Sequence, residues 1–145
     1  MHADLRLHNL IVRPDGSLAA ILDWELATRG DPLADLATTL AYWVEDVREL
    51  HPLEGAPTTL PGFVTRAGLV AAYREHSDLD LDALPVLEVF AVWRYAAILE
   101  GVYRRNLEDV YSEGGTAGWQ RFAWVVPALT EVAERLASKA GVPGP

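Results

Sequence analysis

His2-Ala3-Asp4-Leu5-Arg6-Leu7-His8-Asn9 opens the chain, and Asp23 follows fourteen residues after Asn9, within Ile21-Leu22-Asp23-Trp24-Glu25. Two short apolar runs lie between, Leu10 to Arg13 and Leu18 to Leu22, separated by Pro14-Asp15-Gly16-Ser17. Proline fixes φ and glycine accepts φ > 0, so this separator is a strong turn signal. The segment therefore predicts a β-hairpin with a four-residue connection. A hairpin returns the chain to where it left, which brings Asp23 beside Asn9 and Asp4. Two strands alone are marginal in water, so the hairpin must pack on something else.

Three oxygen-bearing side chains in one small region have a specific chemical use. Oxygen-only ligation suits Mg²⁺, which takes one or two carboxylates and completes its shell with phosphate oxygens and water. Phosphoryl transfer needs a carboxylate to accept the proton of a substrate hydroxyl, and Asp4 fits. It needs a neutral oxygen on the same loop to hold the metal, and Asn9 fits. It needs a second carboxylate bridging metal and nucleotide phosphates, and Asp23 fits. The pattern H-x-D-x-x-x-x-N by itself reads more readily as a polar loop with local capping roles. The hairpin and the Asp23-Trp24-Glu25 motif together favour the chemical reading.

The rest of the chain reads as helical. Gly30-Asp31-Pro32 is a helix start, with Asp31 as cap and Pro32 at the first helical position. Leu33, Leu36, Ala37, Leu40, Ala41 and Val44 follow at helical spacing, which predicts a helix to about Leu50. His51 to Gly62 carries three prolines and two glycines and reads as a loop. A shorter amphipathic helix is expected over about Phe63 to His76, with Leu69, Val70 and Tyr73 inward. Leu84 to Leu99 is apolar nearly all round, with only Glu88 and Arg94 charged, so it predicts a central helix buried on several sides. The pairs Glu100/Arg104, Arg104/Glu108 and Arg105/Asp109 mark its solvated end. Gly114-Gly115 closes that unit, and a last helix runs from about Gly118 to Ala140, with a bend expected at Pro127. Gly141 to Pro145 reads as a frayed tail. The fold class is mainly α with one small β-hairpin.

Composition bounds the function. The chain has 145 residues, half of them apolar, 23% charged, with a net charge of −9 and no cysteine. That suits one domain spanning 1–145 with a real core. The acidity argues against a nucleic-acid partner. The lack of cysteine excludes disulfides and thiolate catalysis. No apolar run is long enough to span a bilayer, and residues 1–8 do not read as a signal peptide, so the expectation is a cytoplasmic protein without a membrane partner.

His2 to Asn9, Ile21 to Glu25 and Gly30-Asp31-Pro32-Leu33-Ala34-Asp35-Leu36-Ala37 together resemble the catalytic core of the aminoglycoside phosphotransferase (APH) family. Phe90-Ala91-Val92-Trp93-Arg94 through Glu100-Gly101-Val102-Tyr103-Arg104-Arg105 is similar to the branch associated with acyl-CoA dehydrogenases. The resemblance implies the C-terminal lobe of a protein-kinase-like α+β fold, of the kind shared with choline kinases. It implies Mg²⁺-dependent transfer of the γ-phosphate of ATP, sometimes GTP, to a small-molecule hydroxyl. On this resemblance Asp4 is the catalytic base, Asn9 and Asp23 hold magnesium and nucleotide, and Ile11 forms part of the floor beneath adenine. Asp35 is then structural and bonds the loop backbone. The family usually has glycine where this chain has Ala3, so strain is expected there if the backbone needs φ > 0. The family's N-terminal lobe carries a nucleotide-covering loop and a phosphate-binding lysine. Here the motifs start at His2 and the single lysine is Lys139, so the expectation is a catalytic-loop lobe without its nucleotide clamp.

A second reading of a different class is therefore kept, a non-catalytic lobe that dimerises or binds a partner, a separate N-terminal lobe or a metabolite. A third makes Met1 an internal methionine of a longer protein. The branch implies a hydroxyacyl or other metabolite as acceptor, whereas the acidic charge would equally suit a polycationic aminoglycoside. His2 is expected to pack and bond backbone, and His51 and His76 to lie on the surface. His8 could face solvent or substrate. Arg6 is expected to pair with Asp35 or Glu25, with a transferring phosphate as its other use. Glu25 reads either as support to a metal or as half of a salt bridge. Arg94 must be paired, with Glu100 or Asp46 as partner and an anionic substrate as the alternative. Arg104 and Arg105 are explained by their i,i+4 acids, with a coenzyme A thioester as the functional alternative. Trp24 is expected to pack the metal loop.

Overall fold

The computed structural model describes residues 1–45, 57–108 and 118–142. It is mostly helical with a two-stranded antiparallel sheet. Strand β1 is Leu10–Val12 and β2 is Leu18–Ile21, with Leu10 opposite Ile21 and Ile11 opposite Ala20. The turn closes by the Gly16 N–H donating to the Arg13 carbonyl at 2.9 Å, with Gly16 in the left-handed region at φ 84. Asp15 accepts from the Ser17 amide and hydroxyl, which holds its carboxyl below the usual range. The connection is one residue longer than expected: Arg13 lies outside β1 and belongs to the turn, its amide donating to the Ser17 carbonyl at 2.8 Å.

Four α-helices follow among the described residues: α1 Leu33–Tyr42, α2 Arg66–Glu75, α3 Leu84–Leu107 and α4 Phe122–Lys139. Helix α1 starts as its local signals predict. The Asp31 carboxylate accepts from the Leu33 amide at 2.9 Å, just after Pro32. Its end is not where periodicity put it. The helix stops at Tyr42, eight residues short of the expected Leu50, and Trp43 is already extended, because distant groups intercept the chain. The Arg66 guanidinium donates to the Leu40 and Trp43 carbonyls, and the Trp43 indole donates to the Val64 carbonyl at 2.9 Å. The Thr58 hydroxyl both accepts from the Val44 amide and donates to its carbonyl. Leu50, Asp46, His51, Asp109, Gly114-Gly115 and the last three residues lie outside the described residues.

Helix α2 begins three residues later than expected. Thr65 caps it, accepting from the Gly68 amide at 3.0 Å, while Phe63 stays outside the helix and packs its ring on Trp43. Thr65→Ala should cost about 1 kcal/mol of stability in a urea melt. An unchanged midpoint would show that this cap carries nothing.

Helix α3 organises the core. One face packs on α4, where Val92, Tyr95, Ala96 and Leu99 meet Phe122, Val125, Leu129 and Ala133. Its N-terminal part packs on α1, where Leu84 and Ala91 meet Leu33, Leu36, Ala37 and Leu40, with Leu69, Val70 and Tyr73 of α2 at the edge. The expectation of burial on several sides holds for these faces only. Val86, Phe90, Trp93 and Ile98 are about half exposed, since no described element covers them. Pro127 lies inside α4 without ending it, and a short 3₁₀ turn, Trp119–Arg121, leads into that helix. No helix among the described residues is long and apolar enough to cross a membrane.

Candidate active site

The site is built on residues 2–9, a loop held by the two helices behind it. His2 is buried. Its Nδ1 accepts from the Asp4 amide at 3.2 Å, and its Nε2 lies 2.8 Å from the Leu22 carbonyl. An Nδ1 that accepts leaves Nε2 to carry the proton, so the ring is a neutral strut between loop and hairpin. Trp24 tilts against that ring at 4.7 Å, and its indole donates to the Ile21 carbonyl. Trp24 thus packs on the first residue of the 2–9 loop, although the residue stays more than half exposed.

Asp35, in the first turn of α1, accepts from the His2 amide and the Ala3 amide, both at 2.6 Å. Its structural role is the one the resemblance implied. From the other side, the Arg94 guanidinium on α3 donates to the Ala3 carbonyl at 2.8 Å. This corrects the expected pairing of Arg94 with an acid. Glu100 is taken by Arg104 at 2.8 Å, and Asp46 lies outside the described residues. Thr39 adds a third hold, its hydroxyl donating to the Leu5 carbonyl at 2.8 Å. Asp35, Thr39 and Tyr42 stand at i, i+4 and i+7 on α1, a polar stripe facing the loop that helical spacing alone would have revealed.

Between these holds Ala3 adopts φ 70, the left-handed region expected to strain an alanine. Its methyl is buried and, with Phe90, Ala91 and Arg94, lines a cavity of about 160 Å³. Ala3→Gly would relieve roughly 1–2 kcal/mol of backbone strain. It would also lose a buried methyl worth about 0.8 kcal/mol and add unfolded-state freedom worth about 0.5–1 kcal/mol. These nearly cancel, so thermal stability should stay within about 1 kcal/mol. A larger gain would mean that the methyl contributes nothing.

The side chain of Asp4 is 16% exposed. Its Oδ2 takes the Asn9 amide nitrogen at 3.1 Å and faces Arg6 Nε at 3.2 Å. Among the described residues Oδ1 has no donor, so one oxygen stays available to a proton. Arg6 thus pairs with Asp4, correcting its expected pairing with Asp35 or Glu25: Asp35 is occupied by two amides, and Arg6 instead lies over the Tyr42 ring at 5.3 Å. Asn9 is buried, and its amide nitrogen also donates to the Asp4 carbonyl at 2.8 Å, which turns the amide oxygen the other way.

The hairpin does bring the far carboxylate back. The Leu22 amide donates to the Asn9 carbonyl at 2.8 Å, and Asp23 is the next residue, itself left-handed at φ 69. Asp23 shares a hydrogen bond with Glu25, which raises the Glu25 carboxyl above its usual range. Glu25 therefore neighbours Asp23 and forms no salt bridge among the described residues. No set of three His, Cys, Asp or Glu side chains among the described residues converges as a metal cage. The donor set is instead one amide oxygen and one exposed carboxylate, with Glu25 beside it. That fits a hard cation that draws its remaining ligands from phosphate and water. Ile11 is half exposed on the hairpin, as are Val12 and Leu18, so it presents an apolar surface and does not form a hairpin core. His8 and His76 are exposed.

The model of the phosphotransferase enzyme family (APH) matches residues 1–124. The chain belongs to this family. Relatives include mouse (Mus musculus) acyl-CoA dehydrogenase family member 10, 34% identical over 97% of this chain and 13% of that protein. Chicken (Gallus gallus) acyl-CoA dehydrogenase family member 11 is 31% identical over 90% of this chain and 17% of its own length. The probable acyl-CoA dehydrogenase IBR3 of Arabidopsis thaliana is 32% identical over 81% of this chain and 15% of its own length. The chain thus spans well under a fifth of the curated relatives it matches. No solved structure matches it.

Proposed function

We propose that this chain is the catalytic-loop lobe of a kinase-like small-molecule phosphotransferase, which moves the γ-phosphate of ATP to an acceptor hydroxyl. The observation that carries the reading is the hairpin return that sets Asp23 next to the Asp4/Asn9 pair. Asp4 Oδ1 accepts the hydroxyl proton as the acceptor oxygen attacks phosphorus. Arg6 and Asn9 fix the rotamer of Asp4, so that its free oxygen is already aimed. Asn9 and Asp23 would hold Mg²⁺, which when bound neutralises charge on the nucleotide phosphates. Ile11 and the exposed hairpin face offer an apolar surface to the adenine. His2 and Asp35 keep the loop in register without touching substrate.

A thermal-shift titration tests the nucleotide site. Mg²⁺ and ATP together should raise the melting temperature of the chain, with neither alone sufficient, and Asp23→Asn should remove the shift. No shift in the wild-type chain would remove support for a nucleotide site here. The exposed α3 residues Val86, Phe90, Trp93 and Ile98 favour a second reading, a binding lobe that self-associates. A dimer by light scattering without any Mg²⁺-ATP shift would support that reading.

A further inference from the structure

Three arginines from three parts of the chain gather behind Asp4. Arg6 comes from the loop, Arg94 from α3, and Arg121 from the turn that leads into α4. They lie about a pair of tyrosines tilted against each other, Tyr42 of α1 and Tyr95 of α3, whose ring centroids are 4.7 Å apart. Arg6 lies over the Tyr42 ring. Arg6, Arg94 and Asp4 all act electrostatically on the Tyr42 hydroxyl, and Arg6 and Arg121 on that of Tyr95. Burial holds both hydroxyls above their usual range, so they are neutral donors.

The charges here do not balance. Among the described residues Asp4 is the one carboxylate paired with any of the three, and it pairs with Arg6. Arg94 spends one N–H on the Ala3 carbonyl. Arg121 leans on the Phe122 ring, 5.5 Å from its centroid, and its Nε is buried without an acceptor. Arg6 Nε is likewise buried, facing Asp4 without hydrogen-bond geometry. A buried guanidinium N–H without an acceptor is unfavourable, and a carboxylate or phosphate is what satisfies one best. In a chain of net charge −9, a local cluster of cationic side chains with unsatisfied N–H groups needs an explanation.

We propose that Arg121, backed by Arg94 and the Tyr42 and Tyr95 hydroxyls, binds an anionic group carried by the acceptor and so sets its hydroxyl against Asp4. This rests on the phosphotransferase reading for the identity of the ligand as acceptor. Arg121 is then a specificity-determining residue, while Arg6 stays with Asp4. A carboxylate and a phosphate share the required chemistry, since both accept a guanidinium fork.

Calorimetric titration of the chain at fixed ionic strength with glycerol, glycerate and glycerol 3-phosphate separates the cases. At least one anion should bind tenfold or more tightly than glycerol. Glycerate binding best identifies a carboxylate site, and glycerol 3-phosphate binding best identifies a phosphate site. Arg121→Gln should erase the preference and Arg121→Lys should keep part of it. The wild-type comparison decides even if a variant folds poorly. Equal affinity for glycerol and both anions, or a preference that survives Arg121→Gln, overturns the proposal. If transfer proves independent of Asp4 while the preference stands, the phosphotransferase reading fails and the anion site does not.

Discussion

Asp4→Asn should lower phosphate transfer by roughly 10²- to 10⁴-fold, the range for loss of a positioned general base. The substitution is nearly isosteric, so the loop should keep its shape. The Asn9 amide nitrogen still has the residue-4 backbone carbonyl as acceptor at 2.8 Å. The Arg6 pair is lost, which leaves the buried Arg6 Nε without a facing carboxylate and should cost about 1–3 kcal/mol. ADP formation from Mg²⁺-ATP over a panel of hydroxyl acceptors, with a urea melt in parallel, reads both quantities. Transfer within tenfold of wild type would remove Asp4 from the role of base. A melt midpoint that collapses would instead make Asp4 a structural residue.

Asp35→Ala should be the most damaging change to stability near the site. It removes the acceptor of two charge-assisted hydrogen bonds, each 2.6 Å long, from the His2 and Ala3 amides. Hydrogen bonds to a charged group contribute about 1.5–3 kcal/mol apiece, so a loss of about 3–6 kcal/mol is expected. Asp35→Asn keeps one acceptor oxygen and should lose about half of that. The urea midpoint at constant m-value measures the loss. A drop below about 1 kcal/mol would mean that Arg94 and Thr39 hold the loop without Asp35.

Local signals in the chain were readable where local chemistry decides. The Pro14 to Ser17 turn and the Asp31-Pro32 helix start both follow from a few neighbouring residues, and the structure has them. The hairpin made the approach of Asn9 and Asp23 predictable, because pairing geometry leaves the two ends of a hairpin together. Most of the misses are tertiary. Helix α1 ends where Arg66 reaches back to the Leu40 carbonyl, a contact across 26 residues. Arg94 meets the Ala3 carbonyl across 91 residues, and no spacing rule covers that. Arg6 chose Asp4 because Asp35 was already committed, a competition visible only once the loop and α1 are in contact. Periodicity also told α3 that it was apolar all round, but not which of its sides lacks a neighbour.

The grip on Ala3 has a consequence for anyone moving this motif between proteins. Residue 3 has its N–H fixed by a carboxylate on one helix and its C=O fixed by a guanidinium on another. The loop's unusual backbone is thus imposed from outside, and the octapeptide does not encode it. Grafting His2 to Asn9 alone onto a new scaffold should give a loop that relaxes Ala3 out of the left-handed region and misdirects Asp4. The transplantable unit is the octapeptide together with one acid and one arginine at the same relative heights on two crossing helices.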